Sequence, residues 1–181
     1  MKLMFASDLH GSLPATEKVL EQFVRLKADR LILLGDLMYH GPRNPLPEGY
    51  APAEVADRLN SVAERIIAVR GNCDSEVDQM LLTFPIEATW QQVLLEDRRL
   101  FLTHGHHYHP QKLPPLGAGD VFVYGHTHIP QAEKWEQLFL FNPGSVSLPK
   151  GGHPASFGLL DEGELRVMTL SQGQTLVQVS L

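Results

Sequence analysis

The 181-residue chain has a single cysteine, Cys73, so no disulfide can form within it. That suits a reducing compartment. Positive charge is scarce: 15 Lys and Arg stand against 21 Asp and Glu, a formal net charge of −6. Extended nucleic acid is therefore not an expected partner, because binding it needs a broad cationic face. Bound divalent ions could still make one pocket locally positive. No apolar run approaches the ~18 residues of a membrane span, so no membrane is expected. The apolar stretch Met1–Ala6 meets Ser7 and Asp8 too soon for a signal peptide. The cytoplasm is the expected location. Repeats, low-complexity tracts and a linker are also missing, and the length fits one domain over residues 1–181.

What the chain does have is a recurring short apolar run that stops at a polar or glycine-containing cluster. Lys2–Ala6 runs into Ser7-Asp8-Leu9-His10-Gly11, Leu31–Leu34 into Gly35-Asp36, and Ile66–Val69 into Arg70-Gly71-Asn72-Cys73-Asp74. Leu100–Leu102 meets Thr103-His104-Gly105-His106. Val121–Tyr124 meets Gly125-His126-Thr127-His128, and Leu138–Phe141 meets Asn142-Pro143-Gly144-Ser145. Runs this short, bounded by turn residues, read as buried strands. A helix starts near Ser12 with Pro14 in its first turn, and Val19, Leu20, Phe23 and Val24 form its apolar face. A second starts near Pro52, with Val55, Leu59 and Val62 on one face. Strand–helix–strand–helix–strand predicts a parallel sheet.

After residue 85 the texture becomes mainly β. Hairpins are expected around Glu96-Asp97-Arg98 and Asp161-Glu162-Gly163, and a last strand over Thr175–Val179. The expected fold is α/β, a four-layer αββα sandwich of two mixed β-sheets flanked by helices. Residues 39–50 and 105–119 read as long loops, a length that often carries function.

In open α/β sheets, ligands bind outside the carboxyl ends of the strands. Here five strand ends offer Asp8 and His10, Asp36, Asn72, His104, and His126 with His128. Each has an ordinary explanation alone. Asp8 and His10, on one side of an extended chain, could belong to a helix N-cap region. Asp36 and Asn72 follow glycines and could be turn residues. His104 could be a satisfied core histidine. His126-x-His128 favours metal. Taken together, every one of these positions carries a metal-competent donor where uncharged turn residues would serve. The mixture of carboxylate, amide oxygen and imidazole suits Mn, Fe, Co, Ni or Zn better than Ca or Mg. Seven donors exceed what one ion needs, so two is the natural count.

These blocks, Asp8-x-His10, Gly35-Asp36, Gly71-Asn72-x-Asp74, Thr103-His104-Gly105-His106 and Gly125-His126-Thr127-His128, resemble those of the calcineurin-like metallophosphoesterases in order and spacing. With the trailing Asn142-Pro143-Gly144-Ser145, the chain is most similar to the family's small bacterial phosphodiesterases, over essentially its whole length. The resemblance implies that Asp8, His10, Asp36 and His128 hold one metal and Asp36, Asn72, His104 and His126 a second, with Asp36 bridging. A bridging carboxylate suits ions about 3.5–4 Å apart, which lower the pKa of a water for in-line attack on phosphorus. The implied activity is hydrolysis of a small phosphodiester, with Mn²⁺ as the expected metal.

Two departures bear on substrate and catalysis. Family members strong on monoesters or phosphoproteins carry histidine where this chain has Cys73, next to Asn72; that histidine is thought to protonate the leaving group. Either Cys73 takes that place poorly, which favours diesters, or it packs beside the site. The protein phosphatases place a phosphate-binding arginine where His40 falls here. Arg43, three residues on, could supply the charge instead, or be a solvated loop residue. His106, His107 and His109 either line the pocket or belong to a histidine-rich surface loop, and Asp74 reads as a residue that orients a ligand. Two other readings stand beside the phosphodiesterase: a phosphomonoesterase, and a protein-interaction scaffold of the same fold with a vestigial site. Seven intact donors speak against the scaffold. A homo-oligomer stays open.

Overall fold

A computed structural model describes residues 1–181. The first sheet has six strands. β1 (Leu3–Ala6), β2 (Arg30–Leu33) and β3 (Ile66–Ala68) are parallel, and β9 (Ser156–Asp161), β10 (Glu164–Thr169) and β11 (Thr175–Ser180) continue it antiparallel, in the order β11-β10-β9-β1-β2-β3. The second has five: β4 (Trp90–Leu94), β5 (Arg99–Thr103), β6 (Val121–Val123), β7 (Pro130–Trp135) and β8 (Leu138–Pro143), in the order β4-β5-β6-β8-β7. There β5, β6 and β8 are parallel and the two edge strands antiparallel. Both sheets are mixed, as expected.

Alternate residues of β1 face opposite ways, and the two sets serve different cores. Leu3 and Phe5 pack with Leu100, Val121, Phe141 and Val167 between the sheets. Met4 and Ala6 pack with Val19, Phe23, Val55 and Leu59 under the helices α1 (Leu13–Arg25) and α2 (Pro52–Asn60). The N-cap of α1 is Ser12, whose hydroxyl accepts from the Ala15 N–H, with Pro14 in the first turn. The outer face of the second sheet is covered differently from the helical layer expected. Phe101, Phe122, Tyr124 and Leu140 lie under Tyr108, Leu113 and Leu116 of the loop 105–119, which forms no helix.

Four local expectations need correction. Val24 is 68% exposed; the buried face of α1 runs through Ala15, Val19 and Phe23, at i and i+4, and Val24 lies a further 100° round the helix. Val62 lies beyond α2, which ends at Asn60, and leads into a short 3-10 turn over Ala63–Arg65. A third helix, α3 (Glu76–Leu81), went unread because it buries no residue. Its start is marked by a capping box, with Ser75 and Asp78 each accepting the other's backbone N–H. Strand β7 was also missed. It is an edge strand that opens on Pro130 and is largely solvent-facing, so it lacks an apolar run.

Candidate metal centre

The five donor-bearing turns follow the carboxyl ends of parallel strands β1, β2, β3, β5 and β6, and both sheets deliver them to one place. Backbone bonds tie the turns together. The Asp8 N–H donates to the Gly35 carbonyl (3.1 Å), the His10 N–H to Asp36 (2.9 Å) and the Gly125 N–H to His104 (2.7 Å). The approach is close enough that a Cβ on Gly71 would collide with Asp36, and one on Gly125 with Ser7.

Five of the seven candidate ligands, Asp8, His10, Asp36, His126 and His128, have φ between 48° and 65°. This left-handed conformation costs roughly 1–3 kcal/mol per non-glycine residue and survives only where the surroundings impose it. It also corrects the sequence reading: Asp8 and His10 share a side because of these turns, not because the chain is extended.

Three histidines are oriented alike. His10 Nδ1 lies 2.9 Å from the Tyr39 carbonyl, His128 Nδ1 2.6 Å from Leu148 and His104 Nδ1 2.7 Å from Leu34. A carbonyl can only accept, so each Nδ1 carries the proton and each Nε2 presents a lone pair inward. Those lone pairs meet other acceptors. His10 Nε2 is 3.4 Å from His128 Nε2, and Asp8 Oδ1 lies 3.2 Å from the latter and 3.7 Å from the former. Asp8 Oδ1 is buried with no hydrogen-bond partner, whereas Oδ2 accepts from the Ser7 hydroxyl (2.6 Å) and the His126 N–H (3.1 Å).

A second cluster adjoins the first. His104 Nε2 lies 3.0 Å from Asn72 Oδ1, 3.2 Å from His126 Nδ1 and 3.5 Å from Asp36 Oδ2. That same Oδ2 is 3.8 Å from His10 Nε2, so it stands between the clusters, while Oδ1 is occupied by the Cys73 N–H (2.8 Å). Acceptors crowded at 3.0–3.8 Å repel unless protons or cations lie among them. Donors about 2.0–2.2 Å from one ion are themselves about 3.0–3.5 Å apart, so the residues fit two metal ions.

The protonation pattern agrees. Burial opposes charge on Asp8, but the His10 and His128 imidazoles beside it hold its carboxyl well below the usual range. Burial likewise disfavours imidazolium at His104, yet the hydrogen bond to Asp36 and the charges of Asp8 and Asp36 raise it to about 9. Burial pushes the Cys73 thiol up to about 12, with the Asp36 charge adding to it, so it stays protonated. It is neither a ready thiolate nor a good proton donor.

The cluster opens into a cavity of about 830 Å³ lined in part by Asp36, Asn72, Cys73, His126 and His128. Arg43 is on its wall. His40, expected as the phosphate contact, is not; its ring packs on Tyr39 and Tyr50 at centroid distances of 4.8 and 5.4 Å. His106, His107 and His109 do not line it either. His106 packs against His107 with ring centroids 3.9 Å apart, and burial lowers its pKa to about 4.

Several contributors were not read from the sequence. Ser145 and Ser147 hydroxyls both donate to the Asp8 carbonyl, at 2.9 and 2.8 Å. The Asn142 amide donates to the Gly125 carbonyl and the Thr127 hydroxyl, each at 3.0 Å. The Asn142-Pro143-Gly144-Ser145 block thus braces the Asp8 and His126 turns, and its position after an apolar run was the available signal. Tyr39 and Lys150 also line the cavity.

Comparison with known proteins accords with this geometry. The profile of the calcineurin-like phosphoesterase superfamily domain matches residues 1–164. The chain is 65% identical over 181 residues to the phosphodiesterase YfcE of Escherichia coli K12, covering all of this chain and 98% of that protein. The solved structure of that E. coli phosphoesterase superposes with a TM-score of 0.99 over 99% of both chains. A phosphodiesterase of Methanocaldococcus jannaschii, MJ0936, is 29% identical over 168 residues, which is 89% of this chain and 93% of that one.

Proposed function

Because the chain belongs to the calcineurin-like phosphoesterase superfamily, we propose that residues 1–181 act as one metal-dependent phosphodiesterase. Asp8, His10, Asp36 and His128 would hold one divalent ion; Asp36, Asn72, His104 and His126 would hold the other. The observation that carries this reading is Asp36 Oδ2, within 3.8 Å of His10 Nε2 and 3.5 Å of His104 Nε2, beside the unpartnered Asp8 Oδ1. When bound, such ions would supply Lewis acidity and lower the pKa of a water for attack on phosphorus. The histidine-rich set favours Mn²⁺ over Mg²⁺.

The protein's own groups position and hold charge. Asp8 and Asp36 stay ionised. The carbonyls of Tyr39, Leu148 and Leu34 fix the histidine tautomers. The Asn72 side-chain N–H donates to Cys73 Sγ at 3.3 Å, which turns its oxygen toward His104. Arg43 lends a guanidinium to the anionic substrate. Cys73 supplies little of the proton that a poor leaving group needs, so activated diesters are better substrates than alkyl monoesters. The single cysteine supports a cytoplasmic setting. No specific observation favours the scaffold or the monoesterase.

The test is a panel of monoesters, linear diesters and cyclic diesters, run on chelator-treated protein with Mn²⁺ or Mg²⁺ added back. Aryl diester hydrolysis restored best by Mn²⁺ is expected. Full activity in excess chelator, after confirmed metal removal, would refute the mechanism.

A further inference from the structure

The cavity holds two cations that nothing in the protein neutralises. Of the 15 lysines and arginines, five lie within ion-pair distance of a carboxylate: Lys2, Arg58, Arg98, Arg99 and Arg166. Arg43 and Lys150, both on the cavity wall, sit in no ion pair. The only acids lining that cavity are Asp36, at the metal centre, and Asp74, which is buried and accepts three backbone N–H groups.

Neither position is accidental drift of a loop. The Lys150 N–H donates to the carbonyl of the candidate ligand His128 at 3.2 Å, and the Lys150 carbonyl closes a tight turn with the His153 N–H, also at 3.2 Å. Tyr39 is tied to His10 through its carbonyl, and the residue is 41% exposed and lines the cavity. The Asn44 side chain and N–H bond the His40 and Gly41 carbonyls at 2.9 and 3.3 Å, which shapes the loop that carries Arg43.

Charge balance then describes the missing partner. Two divalent ions would bring four positive charges, which the carboxylates of Asp8 and Asp36, a water-derived nucleophile and the reacting diester phosphate would together offset. Arg43 and Lys150 are surplus to that balance. We propose that Lys150, with Arg43 and Tyr39, forms a subsite for the substrate's second arm. That arm carries a planar ring, which stacks on Tyr39, and a terminal phosphate, which meets the two cations. The proposal rests on the two-metal phosphodiesterase reading and names its substrate class: a phosphodiester with one phosphorylated, ring-bearing arm.

The test uses two chromogenic esters that differ only in that phosphate: thymidine 5′-(4-nitrophenyl phosphate) and its 3′-phosphorylated form. Charge-assisted contacts predict a preference of about tenfold or more in kcat/KM for the phosphorylated ester, carried by KM. Lys150→Ala should remove most of that preference and Lys150→Arg should keep it. Calorimetry on Mn²⁺-loaded protein should likewise find thymidine 3′,5′-bisphosphate bound more tightly than thymidine 5′-monophosphate, with the difference lost in Lys150→Ala. Equal constants for the two esters, equal affinities for the two nucleotides, or a preference that survives Lys150→Ala would each overturn the subsite. Metal-dependent hydrolysis of bis(4-nitrophenyl) phosphate, which has no phosphorylated arm, reports on the phosphodiesterase reading separately.

Discussion

Asp74 offers a perturbation whose size can be worked from the structure. Its carboxylate is 5% exposed and accepts three backbone N–H groups: Gly71 (2.7 Å) and Asp36 (2.9 Å) on Oδ2, and Leu37 (2.8 Å) on Oδ1. It fastens the turn after β3 to the turn after β2, and so fixes the backbone that carries Asp36, the proposed bridging ligand. Burial raises its pKa even against those bonds, so the charge alone does not stabilise the fold. Each buried N–H left without a partner costs about 1–3 kcal/mol, and some will find water, so Asp74→Ala should cost about 3–6 kcal/mol. At roughly 2–4 °C per kcal/mol for a chain of this size, the metal-free protein should melt about 6–24 °C lower at pH 7. Asp74→Asn keeps an oxygen for Gly71 and Asp36 and turns an NH₂ toward the Leu37 N–H, so its loss should be intermediate, about 1–3 kcal/mol. Thermal melts by circular dichroism read both variants. A melting point for Asp74→Ala within 2 °C (an arbitrary margin, about 1 kcal/mol) of the native value would show that these N–H groups do not depend on the carboxylate.

Other outcomes follow from the same geometry. With His104 raised to about 9, metal binding must displace a proton at neutral pH, so Mn²⁺ affinity should climb by up to about tenfold per pH unit from 7 towards 9 and then level; a flat profile by calorimetry would contradict the assignment. Cys73→His should raise alkyl monoester hydrolysis more than aryl diester hydrolysis, by part of the ~10²–10⁴-fold that general acid catalysis supplies, and equal gains on both would mean that position 73 does not face the leaving group. His10→Ala touches only one cluster, so direct metal analysis should find one ion weakened and the other retained.

The sequence made legible the features that repeat or alternate. Strand ends were marked by apolar runs stopping at Gly35, Gly71 and Gly125, and the donor set was marked by residue types that ordinary turns do not need. What escaped lacked a burial signature. α3 exposes Val77 and Met80, and β7 is an edge strand of polar residues, so neither shows a periodic apolar face. His40 was placed by counting from Asp36, but loop geometry turned it onto Tyr50 and gave the cavity wall to Arg43. The left-handed turns at Asp8, Asp36 and His126 are braced by tertiary bonds involving Ser145, Asp74 and Asn142, which no local pattern reveals. Lys150 lies beyond every recognisable block; its backbone N–H bonds the His128 carbonyl, and it lines the cavity.

The central claim is that Asp36 Oδ2 is shared by two ions. Metal analysis of purified, Mn²⁺-reconstituted protein tests it most directly. The native protein should hold two ions per chain. Asp36→Asn, which removes the shared anionic ligand, should hold fewer, bind what remains more weakly and show no turnover. Two ions still bound at native affinity in Asp36→Asn would contradict the bridge.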